Sequence, residues 1–282
     1  VYPHMTQIGG DGFWLVHQPS GRVRALMAPG RAGANARREL YREHETIPPR
    51  GPLAALTVPG AIAGWMLALE VARVHGARLP LPDLLEPAIR HAKDGYTVTR
   101  SQARLTAEKL AELSDVPGFA QAFLVDGRPP DAGTTLKQPA LAATLDHLAH
   151  AGLDDFYRGD VGREIAADLE RIGSPVTRAD LEKHKAVVAE PLKVALRWGT
   201  VYNAPPPTQG LASLIILSLF DRFVEMIECG RTGDLAEGPT LAVGAWWAWA
   251  IVRGRLGLAG ALAAIGVFQK GCGLFLGVGT AV

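Results

Sequence analysis

Three consecutive prolines, Pro205, Pro206 and Pro207, place the tightest local restriction on the fold of this chain. Each ring fixes φ at about −65° and removes a backbone donor, so the apolar stretch GTVY before them cannot continue as a sheet strand through them. The segment YNAPPPTQG therefore predicts a stiff, extended post ending at Thr208, Gln209 and Gly210, where a second apolar run begins. Alone, such a post is also what an ordinary strand-to-helix connection looks like.

Upstream, apolar and aromatic residues flank the turn cluster Gln18-Pro19-Ser20-Gly21. That pattern predicts a hairpin with strands at about Gly12 to His17 and Arg22 to Ala28. Ile62, Trp65, Met66, Leu69, Ala72 and Val74 recur at helical spacing between Pro59-Gly60 and Gly76. A second helix of the same plan ends at Gly95. Others are expected at about Thr99 to Leu113, Gln138 to Ala151, Asp155 to Ile172 and Arg178 to His184, with a short one at about Ala34 to Glu43 in a polar, proline-flanked surface stretch. Two strands are expected around Trp198-Gly199. The order is not a regular βαβ series, and no nucleotide-binding glycine loop opens a helix directly after a strand. IGGDGF, at Ile8 to Phe13, precedes a strand instead, so it lacks the helix amino terminus that phosphate binding uses. Its glycines equally suit a close approach to a neighbouring strand or to a ligand.

Charge narrows the partners. The 282 residues carry 29 Lys and Arg against 28 Asp and Glu, interspersed, which points away from a nucleic-acid groove or a polybasic membrane patch. Cys229 and Cys272 have no metal-ligand spacing, and the eight histidines are scattered, so no metal site is expected. The first ten residues show no basic region followed by an apolar run, so no signal peptide is expected there. Position 1 is Val, which suggests a chain beginning partway through a longer protein.

Several segments in register carry a resemblance. IGGDGFWLV with its hairpin, TVPGAIAGWMLALEVARVHGARLPLPDLLEPAIRHAKDGYTVT, the run from FLVDGRPPDAGTTLKQP to REIAADLE, VTRADLEKHKAVVAEPL and YNAPPPTQG together resemble the large-subunit half of the γ-glutamyltransferase (γ-glutamyltranspeptidase) family. The resemblance runs from about Val1 to Phe223, and PPPTQG is similar to the family's Pro-Pro-Pro-Ser-Ser-Gly. It is nearest the branch of glutathione-hydrolase-like and cephalosporin-acylase-like proteins. It implies an α+β chain forming the mostly helical large-subunit portion of an αββα amino-terminal-nucleophile (Ntn) hydrolase sandwich. It also implies a precursor that cuts itself before a threonine, whose hydroxyl attacks an amide carbonyl while its own α-amine serves as base. The acyl-enzyme is released to water or an acceptor amine, and no cofactor is required. The implied partners are a small subunit carrying that threonine and a small-molecule amide substrate.

Three departures qualify what the resemblance implies. The family's Thr-Thr-His segment does not occur in this sequence, and Thr134-Thr135 sits in a large-subunit loop followed by Leu136, so no catalytic residue is assigned and the chain is expected to be inactive alone. The family's carboxylate-binding arginine lies in an Arg-Glu-x-Ala-Pro segment. In LMAPGRAGANA, Pro29-Gly30 occupies the place of its Arg-Glu, and the nearest guanidinium, Arg31, displaced by about two residues, becomes the candidate substrate-binding residue. Other acyl amides are then as eligible as γ-glutamyl ones.

From Glu225 the resemblance stops, which divides the chain into residues 1–224 and a Gly-, Ala- and Trp-rich tail, 225–282. Arg253 and Arg255 split its apolar run, and an arginine at mid-span costs about 2.5 to 3.5 kcal/mol, so a membrane span is disfavoured. A tail foreign to the fold is expected. The competing reading is a non-catalytic remnant or interaction module, membrane-associated through that tail.

Overall fold

A computed structural model describes residues 7–231, which fall into two compact units divided between Glu190 and Pro191. In chain order the first unit contains β1 (Gly12–His17), β2 (Val23–Ala28), α1 (Ala61–Val74), α2 (Leu81–Asp94), β3 (Tyr96–Thr97), α3 (Arg100–Leu113), α4 (Phe119–Phe123) and β4 (Thr135–Leu136). It continues with α5 (Pro139–Ala151), α6 (Asp155–Arg158), α7 (Asp160–Arg171), α8 (Arg178–Lys183) and β5 (Val187–Ala189). The second unit holds β6 (Leu192–Leu196), β7 (Gly199–Asn203) and α9 (Gly210–Arg231).

The expected hairpin forms the first unit's sheet, antiparallel in the order β1-β2-β5. Phe13 pairs with Met27 and Leu15 with Ala25, so Trp14 projects to the opposite face with Leu26. Trp14 is large, and small residues make room for it. A Cβ on Gly64 of α1 would lie 2.3 Å from its ring, and one on Gly12 would lie 2.8 Å away. Thus α1 packs on that face of the sheet. Beneath it, Ile62 meets Leu148 of α5, Tyr157 of α6 and Leu181 of α8, all buried to 0 % exposure. Burial of an Ile or Leu side chain of this kind contributes about 1.5–3 kcal/mol.

Several expected elements differ in the structure. The single helix expected at Asp155 to Ile172 is two, broken at Gly159, where Asp155 folds back and accepts the N–H groups of Asp160 and Val161. One carboxylate thus caps a new helix, and a Cβ on Gly159 would fall 1.8 Å from it. The helix expected at Ala34 to Glu43 is a single 3₁₀ turn, Arg38–Tyr41, with no buried residue to hold more. The prolines form a turn, not an extended post: the Pro206–Pro207 peptide is cis, and the Thr208 hydroxyl donates back to Ala204 O at 2.8 Å. Gly210 then starts α9 against that carbonyl, where a Cβ would come within 2.0 Å of Ala204 O. Strand β5 was not anticipated, because three residues pairing with a strand about 160 positions earlier leave no local periodicity.

Among the described residues, no helix is long and apolar enough to cross a membrane. The expectation of a foreign tail lies outside the described residues from position 232 onward.

Candidate functional site

Three turns meet at one end of the first unit. The Gly9-Gly10 turn offers its Gly10 carbonyl to the N–H groups of Gly60 and Ala61, at 2.8 and 2.7 Å, which satisfies the first donors of α1. This occupies the helix end that an anion would otherwise use. The Asp11 carboxylate accepts the Gly30 N–H at 2.8 Å, and the Arg31 carbonyl accepts the Val58 N–H at 2.9 Å. Side chains have no room between these strands of backbone. A Cβ on Gly30 would sit 1.9 Å from Val58 O, and one on Gly60 would sit 2.1 Å from Ala28 O. Glycine is therefore needed at both positions for the turns to close.

Arg31 leaves this knot pointing outward. It is exposed, and among the described residues its guanidinium has neither an ion pair nor a hydrogen bond, while its backbone is fixed on both sides. A cation on a fixed backbone with five unused donors suits a planar carboxylate. The family's Arg-Glu-x-Ala-Pro segment can also be aligned on its Ala-Pro, which Ala28-Pro29 reproduces. That register puts Ala25 in the arginine's place, and Ala25 is fully buried in the central strand.

Four residues that the sequence did not single out lie around the Arg31 loop and the start of α1: Asp11, Tyr157, Asp180 and His184. The Tyr157 hydroxyl donates to Pro59 O at 2.7 Å and accepts the Ala63 N–H at 2.9 Å, which ties α6 to the start of α1. Burial pushes its phenol up to about 12, so it stays neutral. Asp180 accepts the Ala34 N–H at 2.9 Å and the Thr177 N–H at 2.8 Å, a capping box shared with the Arg31 loop. Burial raises its carboxyl, but these hydrogen bonds outweigh that and hold it below the usual value. His184 is buried at 3 % exposure with its ring 5.5 Å from that of Tyr157, and neither ring nitrogen has a partner. Burial lowers its pKa; of the charges facing it, Arg31 and Arg158 act in the same direction and Asp11 opposes them. Thr177-x-x-Asp180 was the one signal legible in advance; the others are revealed only by long-range contact.

The remaining candidates lie elsewhere. Thr134 and Thr135 are built into the small β3-β4 pairing: Thr135 lies opposite Thr97, and the Thr134 carbonyl accepts the Val98 N–H. His147, Asp155 and Asp160 bring ligand atoms within 4.8 Å of one another. However, both Asp155 oxygens cap α7 and Asp160 is paired with Arg163, so the cluster is accounted for by helix structure.

Residues 1–238 match the family model described as gamma-glutamyltranspeptidase. This chain belongs to the γ-glutamyltranspeptidase family. It is 48 % identical over 223 residues to the oxamate amidohydrolase proenzyme of Klebsiella pneumoniae, covering 79 % of this chain and 42 % of the relative. To the glutathione hydrolase-like YwrD proenzyme of Bacillus subtilis it is 37 % identical over 224 residues, with coverage of 79 % and 42 %. The chain thus spans about two-fifths of the length of these relatives. Among solved structures it is similar to γ-glutamyltranspeptidase from Pseudomonas nitroreducens complexed with L-DON, with a TM-score of 0.70, 27 % identity and coverage of 88 % and 73 %. It is also similar to the cephalosporin acylase of Bacillus halodurans, with a TM-score of 0.67, 31 % identity and coverage of 75 % and 40 %. Membership of the γ-glutamyltranspeptidase family makes this an α+β chain of the Ntn-hydrolase type, related to amidohydrolases and acyltransferases.

Proposed function

We propose that residues 1–224 are the large-subunit portion of an amino-terminal-nucleophile amidohydrolase whose threonine is carried by a second, small-subunit portion. The observation that carries the reading is the 48 % identity to one portion, about two-fifths, of an amidohydrolase proenzyme. In this reading the first unit supplies the substrate's carboxylate anchor, Arg31, and the second portion supplies nucleophile, base and oxyanion donors. Ala25 standing in the family arginine's register favours a short carboxylate-bearing amide, of which oxamate is the simplest probe, over a γ-glutamyl group held in the transpeptidase manner.

The second unit supports a partner of this kind. Ile215, Ile216, Leu219 and Phe220 on α9 are exposed, Ile216 at 65 % and Phe220 at 54 %, an apolar row of the sort that marks an interaction face.

The test uses the 282-residue chain alone and mixed with the separately produced threonine-led portion of the Klebsiella relative. Ammonia release from oxamate and anilide release from a γ-glutamyl anilide are followed. The expected result is no release by the chain alone, and release of ammonia from oxamate by the mixture that Arg31→Gln reduces. Turnover by the chain alone would overturn the reading.

A further inference from the structure

We infer that Asp180 is a positioning residue for carboxylate recognition: it acts on the substrate only through the loop that presents Arg31, which its side chain holds in place, and so sets the affinity for a small carboxylate. This rests on the reading of Arg31 as the anchor.

The loop from Arg31 to Asn35 lies between two supports within the first unit. On one side, the Val58 N–H donates to Arg31 O and the Gly33 N–H to Leu56 O, both at 2.9 Å, and Ala32 is bridged to Thr57. On the other, the Asn35 N–H donates to Pro175 O at 3.2 Å and the Ala34 N–H to Asp180 Oδ2 at 2.9 Å. Gly33 is pressed against this second support, where a Cβ would lie 2.5 Å from Pro175 O. The supports are also tied to each other, because the Ser174 hydroxyl donates to Ala55 O at 2.6 Å.

Side chains enter this arrangement on either side of Arg31 in the chain. Among the described residues, Asp11 and Asp180 are the side chains that accept backbone N–H groups from residues 30–36. Both carboxylates are spent on backbone and neither pairs with the Arg31 guanidinium, whose donors stay open to an incoming carboxylate. Asp11 belongs to an exposed turn, whereas Asp180 is fixed from the core. Its Oδ2 also accepts the Thr177 N–H and hydroxyl, at 2.8 and 2.7 Å, and the next residue, Leu181, is fully buried in the main apolar cluster.

Preorganisation gives the consequence. A carboxylate that docks on a guanidinium in fork geometry binds more tightly when the loop beneath that guanidinium is already ordered, because the ordering cost then falls on folding and not on binding. Losing the Asp180 oxygen frees Ala34, close behind Arg31 in the chain, and returns that cost to the binding step. Helix stability and loop position can be varied apart. Thr177→Ala removes the hydroxyl of the same cap yet leaves the bond from Ala34 to Asp180, and Asp180→Asn keeps an oxygen to accept it.

The experiment measures oxamate binding to the full chain by calorimetry, beside the urea midpoint and hydrogen exchange at Ala34. Arg31→Gln should weaken oxamate, and Asp180→Ala should weaken it about tenfold while quickening exchange at Ala34. Asp180→Asn should bring affinity back to within about threefold of the native chain, and Thr177→Ala should lower the midpoint yet bind oxamate within about twofold of native. If Asp180→Ala fails to fold, Asp180→Glu takes its place: it keeps the charge, displaces the acceptor from Ala34 and should weaken oxamate in the same direction. Affinities that follow the urea midpoint across the set, Thr177→Ala included, overturn the inference by making Asp180 merely structural. So does native-like oxamate binding, or unchanged exchange at Ala34, in the Asp180 variant, although the reading of Arg31 as the anchor then survives. Absence of Arg31-dependent binding overturns both.

Discussion

Tyr157 shows how much one side chain settles in this fold. It is fully buried, and its hydroxyl serves the Pro59 carbonyl before α1 and the Ala63 amide in its first turn, almost a hundred residues away. Tyr157→Phe would keep the ring packing and strand both groups, so a loss of about 1–3 kcal/mol is expected, read as a lower urea midpoint. The pH sign follows from its raised phenol. Tyrosine in the unfolded chain ionises near about 10, whereas Tyr157 holds its proton to about 12, so its contribution is fully present below the first value and is lost as pH rises toward the second. The native chain should therefore lose stability between these values more steeply than Tyr157→Phe. Equal alkaline slopes would refute the assignment. Little of this was legible beforehand. In DDFYRGD nothing distinguishes a tyrosine that anchors a distant loop from a surface one, and His184 looks like any helix-ending histidine. Arg31 could be named only because a resemblance drew attention to its segment.

At the scale of elements, what the sequence revealed depended on the range of the interaction. Strands β1 and β2 and helix α1 follow from alternation, helical spacing and glycine stops, all local signals, and their observed limits lie within a residue or two of the expected ones. The break between α6 and α7 escaped because the residues keep a helical pattern through Gly159, and only the folded-back Asp155 side chain stops the first helix. Strand β5 escaped because its partner lies far away in sequence. Helix α8 is the intermediate case: its capping box is local, but Asp180 also holds the Ala34 N–H. Two substitutions separate these roles. Thr177→Ala should cost about 1 kcal/mol, the ordinary value of a cap, whereas Asp180→Ala should cost about 1–3 kcal/mol, because it also leaves the Arg31 loop's donor unmatched. Hydrogen exchange at Ala34 distinguishes them: it should quicken strongly in Asp180→Ala and little in Thr177→Ala. The Asp180 carboxyl is held below its usual value, so its contribution is present above the ordinary aspartate pKa and fades as pH falls through the lowered one. Equal exchange at Ala34 in both variants would show that α8 does not support the loop.

At the scale of the whole molecule, the distribution of buried side chains makes the first unit a candidate for independent folding. Its main apolar cluster runs from Val58 to Leu181, and the β1-β2-β5 sheet is complete at Ala189. Removing everything from Pro191 onward takes away no member of that cluster and no strand of that sheet. A domain that keeps its core keeps its cooperativity, because the apolar surface buried per residue is what offsets chain entropy. Residues 1–190 should therefore unfold in one urea transition, with a slope of about 1–3 kcal/mol per molar. The readout is built in. The truncated chain retains two tryptophans, Trp14 and Trp65, and Trp14 lies against Gly64 where α1 meets the sheet. Its emission should be blue-shifted in the native state and should move red together with the loss of helical circular dichroism. Coincident transitions would establish an autonomous unit carrying the Arg31 site. A gradual red shift without a midpoint would mean that the core around Ile62 and Tyr157 depends on residues beyond Glu190.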